Sequence, residues 1–413
     1  MSSSVLCKGF VFCVALAIVS LLGFQNNALA QSVRVKGSTV VNVYGFLNYE
    51  GGWSNRSFPS FYRSNTSYGI VNGKGKNAFS SEARLRLGFK ITNRIAKTHA
   101  NITFDSWPKG FSLMLAFVRH RIARGLYLTV GKDWSLVSQR YFHFASFSFR
   151  PYPAGFNGSK RTAQITASYM KDLGSSSVLL CFGAEDRSLK DGVVVGKNLS
   201  SNGTVISDSN ISSERKILPA FVGKVEYMFK TGFGKPSQLM GYYEVLPVYL
   251  RYANKESRQT AYLYSIAGKL NFEDLALVAQ YLHTSGLSGA SGITGNALKT
   301  YSYVYLDGKI VKRDSNAFGV EIVGIPFKGL RLALGYVDLK FDNRNSSGKD
   351  FLKNEVKYVK TAYVTCVIST SKTTKLYAEW SNIKTRYATD NALSGDFRDA
   401  VGNQFFIGYR LYF

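Results

Sequence analysis

Hydrophobic and polar side chains alternate with a period of two along most of this 413-residue chain. Ser81 to Ile91 reads SEARLRLGFKI, and Ala83, Leu85, Leu87, Phe89 and Ile91 fall on one face. Glu82, Arg84, Arg86, Gly88 and Lys90 fall on the other. A strand sends successive side chains to opposite sides of its sheet, so this segment has an apolar side and a charged side. A sandwich strand with a wet outer face reads the same way, and no single segment decides between the two.

The number and spacing of the segments do decide. Sixteen of them are legible, at about 39–49, 80–92, 97–106, 111–120, 125–133, 161–170, 175–186, 215–230, 236–251, 258–270, 274–284, 315–326, 329–341, 356–369, 373–386 and 402–413. Every even-numbered connection is short, and nearly all the long ones, rich in Gly, Ser and Asn, are odd-numbered. Short turns at one end and long loops at the other mark an outer-membrane barrel. An even strand number puts both termini at the short-turn, periplasmic end. In lipid every backbone N–H and C=O must be paired internally, so an all-β spanning protein has to close on itself. The expected fold class is all-β: a sixteen-stranded antiparallel transmembrane β-barrel over residues 31–413. Sixteen strands leave an aqueous channel rather than a filled core.

The first thirty residues stand outside this pattern. One charge (Lys8), an apolar run from Phe10 to Phe24 and Ala28-Leu29-Ala30 before Gln31 form a cleavable secretory signal, residues 1–30. The rest contains no apolar run near the length of a spanning helix. Cys181 and Cys366 follow the signal; they are one potential disulfide or, as we read them, two small strand residues. No metal-ligand cluster is present in the pattern, and Gly73-Lys74-Gly75-Lys76 lacks the strand–loop–helix setting of a phosphate loop. Leu189–Ser213 and Gly286–Asn296 read as mobile loops.

Charge changes the picture more. Lys and Arg number 52 against 26 Asp and Glu, a net charge of +26. The cations are spread along the chain with no basic tail and no nucleic-acid motif, so nucleic acid is not the expected partner. Aromatics reach 14% of residues, which suits strands and a membrane interface.

The leader, the sixteen strands and the terminal strand FFIGYRLYF, Phe405 to Phe413, together resemble the trimeric porins of Gram-negative outer membranes. Leu126 to Val137, LYLTVGKDWSLV, is similar to the fifth strand and the start of the third loop in porins of the general and DcaP-like types. Tyr409, Leu411 and Phe413 look like the terminal signal read by the barrel-assembly machinery. The resemblance implies a homotrimer in outer-membrane lipid and a water-filled pore in each subunit. It also implies a third loop, about 134–160, folded inward as a constriction, and no cofactor.

That loop departs from the general porins, many of which carry acidic residues there. After Asp133 it has no Asp or Glu. It has Arg140, Arg150, Lys160 and His143 among seven aromatics, Tyr141, Phe142, Phe144, Phe147, Phe149, Tyr152 and Phe156. Alternation adds wall cations. Arg84, Arg86, Lys90, Arg119, Arg121, Arg161, Lys224, Lys269, Arg331, Lys375 and Arg410 are expected to face the lumen. Lys132 is open: strict alternation points it outward, similarity to other porins points it inward, and a bulge at Gly131 would reconcile them. Glu82, Glu226, Glu321 and Glu379 are expected inward as partial compensation. A basic lumen favours anions.

The expected function is passive diffusion of small hydrophilic solutes, anionic or neutral, with anion preference. One alternative is a channel biased to phosphate or carboxylates. Another is a surface adhesin or structural barrel whose basic loops contact lipid head groups or a host. Catalysis is not expected. His99 shares a strand face with Asp105 but six residues away, about 20 Å at ~3.4 Å per residue, beyond hydrogen-bond reach.

Overall fold

A computed structural model describes residues 32–36, 38–54, 78–106, 111–137, 161–186, 195–199, 205–207, 212–213, 219–232, 235–252, 255–287, 303–306, 309–342, 356–387 and 399–413. The signal segment 1–30 and the fragment Gly73–Lys76 lie outside the described residues.

All sixteen expected segments are strands. They are β1 (Thr39–Ser54), β2 (Ala78–Asn93), β3 (Thr98–Asp105), β4 (Ser112–Ala123), β5 (Leu126–Trp134), β6 (Arg161–Asp172), β7 (Ser176–Glu185) and β8 (Ala220–Lys230). There follow β9 (Pro236–Tyr252), β10 (Lys255–Asn271), β11 (Leu275–Ser285), β12 (Asp314–Phe327), β13 (Leu330–Phe341), β14 (Val356–Ser369), β15 (Thr374–Tyr387) and β16 (Asp399–Tyr412). Each pairs antiparallel with the next. The last pairs with the first, from Tyr412 opposite Phe46 to Gln404 opposite Ser54. The sheet is therefore a closed barrel.

The short Ser32–Lys36 strand pairs with the start of β1, Ser32 opposite Asn42. It takes the edge of β1 that lies beyond the end of β16. Ser212–Ser213 adds a second short pairing, to β9. A separate four-stranded sheet joins two long connections. Val195–Leu199 and Val205–Ser207 lie between β7 and β8, and Tyr303–Leu306 and Lys309–Lys312 lie between β11 and β12. Tyr303 to Leu306 runs parallel to Val195 to Leu199. The segment expected to be a mobile loop over Leu189–Ser213 thus contributes strands. Its partner is about a hundred residues away, and local composition carries no sign of that pairing.

Alternation sorts the side chains by solvent. Along β11 the row Ala276, Val278, Gln280, Leu282 and Thr284 is buried, and Leu275, Leu277 and Tyr281 are exposed. The same holds round the barrel: Leu239, Tyr243, Ile266, Phe318, Leu334 and Ile407 stand in an exposed apolar outer row. Tight packing in water does not produce such a surface; a lipid-facing wall does. Cys181 faces inward on β7, and Cys366 lies in the outer row of β14; both are free thiols. Opposite faces of the wall forbid a disulfide between them.

The seam depends on one close approach. The Phe413 carbonyl accepts a hydrogen bond from the Gly45 amide at 2.8 Å, and the Phe413 amide donates back to the Gly45 carbonyl at 3.2 Å. The Phe413 ring covers Gly45, where an added Cβ would lie 2.6 Å from Cζ of that ring. Gly45→Val is expected to lower the unfolding free energy by about 1–3 kcal/mol through overpacking. Urea unfolding of detergent-held protein measures it, and an unchanged midpoint would refute the seam's role.

Candidate functional site: the lumen wall

Closure brings residues from both ends of the chain onto one patch of inner wall. The register sets Lys375 on β15 opposite Arg410 on β16, Arg410 opposite Asn48 on β1, and Asn48 opposite Arg84 on β2. One residue row along, Phe46 lies between Tyr412 and Arg86. Three guanidinium groups surround the Phe46 ring: Arg410 at 4.4 Å from its centroid, Arg86 at 4.9 Å and Arg84 at 6.0 Å. The ring's negative face offsets part of their mutual repulsion.

Asp105, at the end of β3, supplies the rest. Its carboxylate accepts from Arg84 Nε at 2.7 Å and from Arg86 Nη2 at 2.7 Å, and Arg84 Nη2 also bonds it. Asn48 Oδ1 accepts from Arg410 Nε at 3.0 Å and from the Tyr377 hydroxyl at 3.0 Å. The Tyr377 hydroxyl, with one proton, shares it between Asn48 and the Glu50 carboxylate. Tyr377 reaches them by lying across Gly408, where a Cβ would come within 2.2 Å of its ring. The patch is a charged network in which buried carboxylates fix the guanidinium planes.

The wall from β4 to β8 is built differently. Arg119 on β4 donates through Nε to Thr129 Oγ1 at 3.0 Å and lies 3.7 Å from Asp133. Lys224 on β8 lies 2.5 Å from Glu226, which also accepts from Gln238. These groups line a cavity of about 490 Å³ inside the barrel, with Phe117, Cys181 and Leu136. Towards the long-loop ends of β9 to β15 the inner row turns apolar, with Leu246, Val248, Leu250, Leu263, Val337, Leu339 and Val359 in one buried cluster.

After β5 the chain turns inward. Gln164 Nε2 donates to the Trp134 carbonyl at 2.8 Å, and Glu185 accepts from the Leu136 amide at 2.7 Å. Val137 then joins the apolar cluster, with Leu136 packed against it. Ser135, Leu136 and Val137 therefore lie against the inner face of the barrel. Arg140, His143, Arg150, Lys160 and the seven aromatics lie outside the described residues.

Of the expected wall cations, Arg84, Arg86, Lys90, Arg119, Arg121, Lys224, Lys269, Arg331, Lys375 and Arg410 fall in inward rows. Lys90 sits 4.8 Å over the Tyr44 ring, and Lys375 sits 5.3 Å over that of Tyr412. Arg121 donates to the Ala123 carbonyl at 3.3 Å. Two fall elsewhere. Lys132 is in the outer row, between Ala116 and Ala163, and its ammonium donates to the Leu113 carbonyl at 2.8 Å. The register from Leu126 to Trp134 against β6 is unbroken, so no bulge at Gly131 turns it inward. Arg161 is also in the outer row, because Thr162, Gln164 and Thr166 are the inward residues of β6. Its guanidinium lies 4.0 Å over Trp134.

Glu226, Glu321 and Glu379 are inward and buried; Glu82 lies where side chains are not described. Phe46, Asn48, Glu50 and Tyr377 were missed as site residues. Their signal was present, since Phe46, Asn48 and Glu50 alternate with Leu47 and Tyr49. Tyr409, Leu411 and Phe413 occupy the outer row of β16. His99 bonds Thr92, His120 bonds Thr98 and His283 bonds Asn316, while Asp105 is held by the two arginines.

A closed sixteen-stranded barrel with an apolar outside and a charged inside is the fold of the outer-membrane porins. Solved structures agree. The outer membrane channel DcaP of Acinetobacter baumannii superposes with a TM-score of 0.70 at 16% identity, over 93% of this chain and 100% of that one. OmpF of Salmonella typhi, in complex with daunomycin, gives 0.56 at 14% identity, over 93% and 100%. An anion-selective porin from Comamonas acidovorans gives 0.54 at 13% identity, over 91% and 100%. No protein-family model matches the sequence, and no curated protein is similar to it.

Removing Asp105 leaves two guanidinium groups without their shared carboxylate. Asp105→Asn is expected to cost about 3–5 kcal/mol of stability, the usual cost of breaking a buried pair. The added change Arg84→Gln should recover part of it in the same urea titration, and additive losses would refute the coupling.

Proposed function

We propose that this protein is a passive outer-membrane channel for small hydrophilic solutes, with a preference for anions. One observation carries the sign. Most of the described lumen carboxylates are sealed into the wall: Glu50, Asp105 and Glu185 are 0% exposed, Glu244, Glu321 and Glu379 are 1% exposed and Glu226 is 7% exposed, which leaves Asp133 partly exposed on the cavity. Lys90 and Arg119 on the same inner face are exposed, and Arg86, Lys224, Lys269, Arg331 and Lys375 are partly so. Charges buried in the wall are compensated locally, and those reaching the water act on a passing ion. The charge that a solute meets on the described wall is therefore mainly positive. The acid-free third loop supports the same sign.

The signal peptide, the homotrimer and the reading of Tyr409, Leu411 and Phe413 by the assembly machinery are proposed with it, on the sequence pattern and the porin resemblance. The solutes carried are small anions or neutral polar molecules, and no step of the reading calls for a cofactor or a catalytic group.

Purified protein is expected to give stepwise conductance in planar bilayers, and lipid-inserted protein with no steps would overturn the channel. Under a KCl gradient the zero-current potential should report chloride preference. Arg84→Gln/Arg86→Gln should lower that preference, because it removes the partly exposed Arg86 cation and takes both arginine partners from the Asp105 carboxylate. A cation preference in the native protein, or a potential unmoved by the double change, would refute the assignment of the sign or of these residues.

A further inference from the structure

The cavity of about 490 Å³ inside the barrel holds charges of both signs beside an apolar surface. An anion that merely passes a basic wall needs neither the acids nor the apolar surface. Arg119 and Asp133 stand at one side of the cavity, on β4 and β5, and Lys224 and Glu226 at the other, on β8. β6 and β7 lie between the two pairs. The register runs from Thr129 to Thr166, and from Ser168 through Cys181 to Lys224. All of these residues are in inward rows and line the cavity.

Neither pair closes the site. Arg119 lies 3.7 Å from Asp133, beyond hydrogen-bond distance, and gives its Nε–H to Thr129. A guanidinium has five N–H donors, so its Nη edge can still take a carboxylate in bidentate fashion. The Arg119 side chain is 46% exposed against 21% for Lys224, so Arg119 is the cation that a carboxylate reaches first. Glu226 is paired with Lys224 and accepts from Gln238. A carboxylate has about four acceptor positions, which leaves room for a further donor.

An apolar surface accompanies these charges. Leu115 and Phe117 on β4, Leu179 on β7 and Met240 on β9 line the same cavity. The Arg119 guanidinium lies 5.7 Å from the Phe117 centroid. Such side chains do nothing for a hydrated ion and favour a solute that carries hydrocarbon. The volume is in the range of a small-molecule site. Arg119 and Glu226 are four strands apart, about 19 Å at the backbone at ~4.8 Å per strand, and both side chains reach into the space between. An extended dipeptide holds its charged ends about 7 Å apart, at ~3.5 Å per residue, and a single amino acid spans half as much.

We propose that this cavity is a binding site for short zwitterions with an apolar body, of the size of an apolar dipeptide. The solute carboxylate sits on Arg119, its ammonium on Glu226, and its side chains on Leu115, Phe117, Leu179 and Met240. The inference rests on the reading of the protein as a channel, and names one class among its neutral polar solutes. It does not depend on the ion preference of the lumen.

The test uses the full barrel in planar bilayers and reads the probe concentration that half-blocks the open-channel current. The probes are alanyl-leucine, its N-acetyl form with only the carboxylate, its C-terminal amide with only the ammonium, and glycylglycine with both charges and no apolar side chain. Alanyl-leucine should block at the lowest concentration. Each of the other three should need about tenfold more, from the loss of one charged or apolar contact. Arg119→Gln should raise the half-blocking concentration of alanyl-leucine about tenfold without raising that of the amide. Glu226→Gln should raise it without raising that of the N-acetyl form. Equal block by all four probes, tighter block by the N-acetyl form than by alanyl-leucine, or variants that leave alanyl-leucine unaffected would overturn the site and leave the channel standing. Native protein with no current steps would overturn the channel and the site together. If either variant fails to insert, the four probes on the native protein still decide.

Discussion

Everything in this molecule follows from the need to satisfy backbone N–H and C=O groups where no water can do so. In hydrocarbon an open sheet edge is excluded, so sixteen strands must return to their starting point. The seam is where that requirement is met. β16 zips onto β1, the last residue bonds Gly45 on both backbone atoms, and the short Ser32–Lys36 strand takes the edge of β1 that β16 leaves. Closure then divides every strand between two solvents. The period of two, which in a soluble sheet separates core from water, here separates lipid from lumen.

The lumen wall is asymmetric as a result of how its charges are supported. On β16, β1 and β2, arginines stack on Phe46 and lean on Asp105 and Asn48. Such groups cannot be packed this closely unless carboxylates and an aromatic face lie among them. On β4 and β8, Arg119 and Lys224 each lie beside a carboxylate, Asp133 and Glu226, and border an open cavity. The apolar inner cluster on β9 to β15 gives Val137 a surface to bury against, with Leu136 packed beside it. Electrostatics and apolar packing thus occupy different arcs of one tube.

Strand number, closure and both faces were legible because each is a local property repeated sixteen times. Inward residues were legible to the extent that parity was certain within a strand. Arg84 and Arg86 lie mid-strand, and Arg410 near the end of β16; each is flanked on both sides by Ala, Leu or Tyr. Arg161 is the first residue of β6, where parity has to be carried in from one direction only, and it faces lipid beside Trp134. Lys132 shows that alternation outweighs likeness to other porins: the unbroken register at Gly131 keeps it outside. The sheet joining Val195–Leu199 to Tyr303–Leu306 was illegible, since a parallel pairing across a hundred residues leaves no periodic trace in either partner.

By itself the sequence determined that this chain is an all-β barrel with an apolar outside and a cationic balance, because side-chain alternation and charge are properties of consecutive residues. Only the tertiary structure decided which charges matter to a solute. Whether a carboxylate neutralises a lumen or is sealed within its wall depends on neighbours from other strands. Asp105 meets Arg84 across a turn, and Tyr377 meets Glu50 across 327 residues. Such contacts exist only once the barrel has closed.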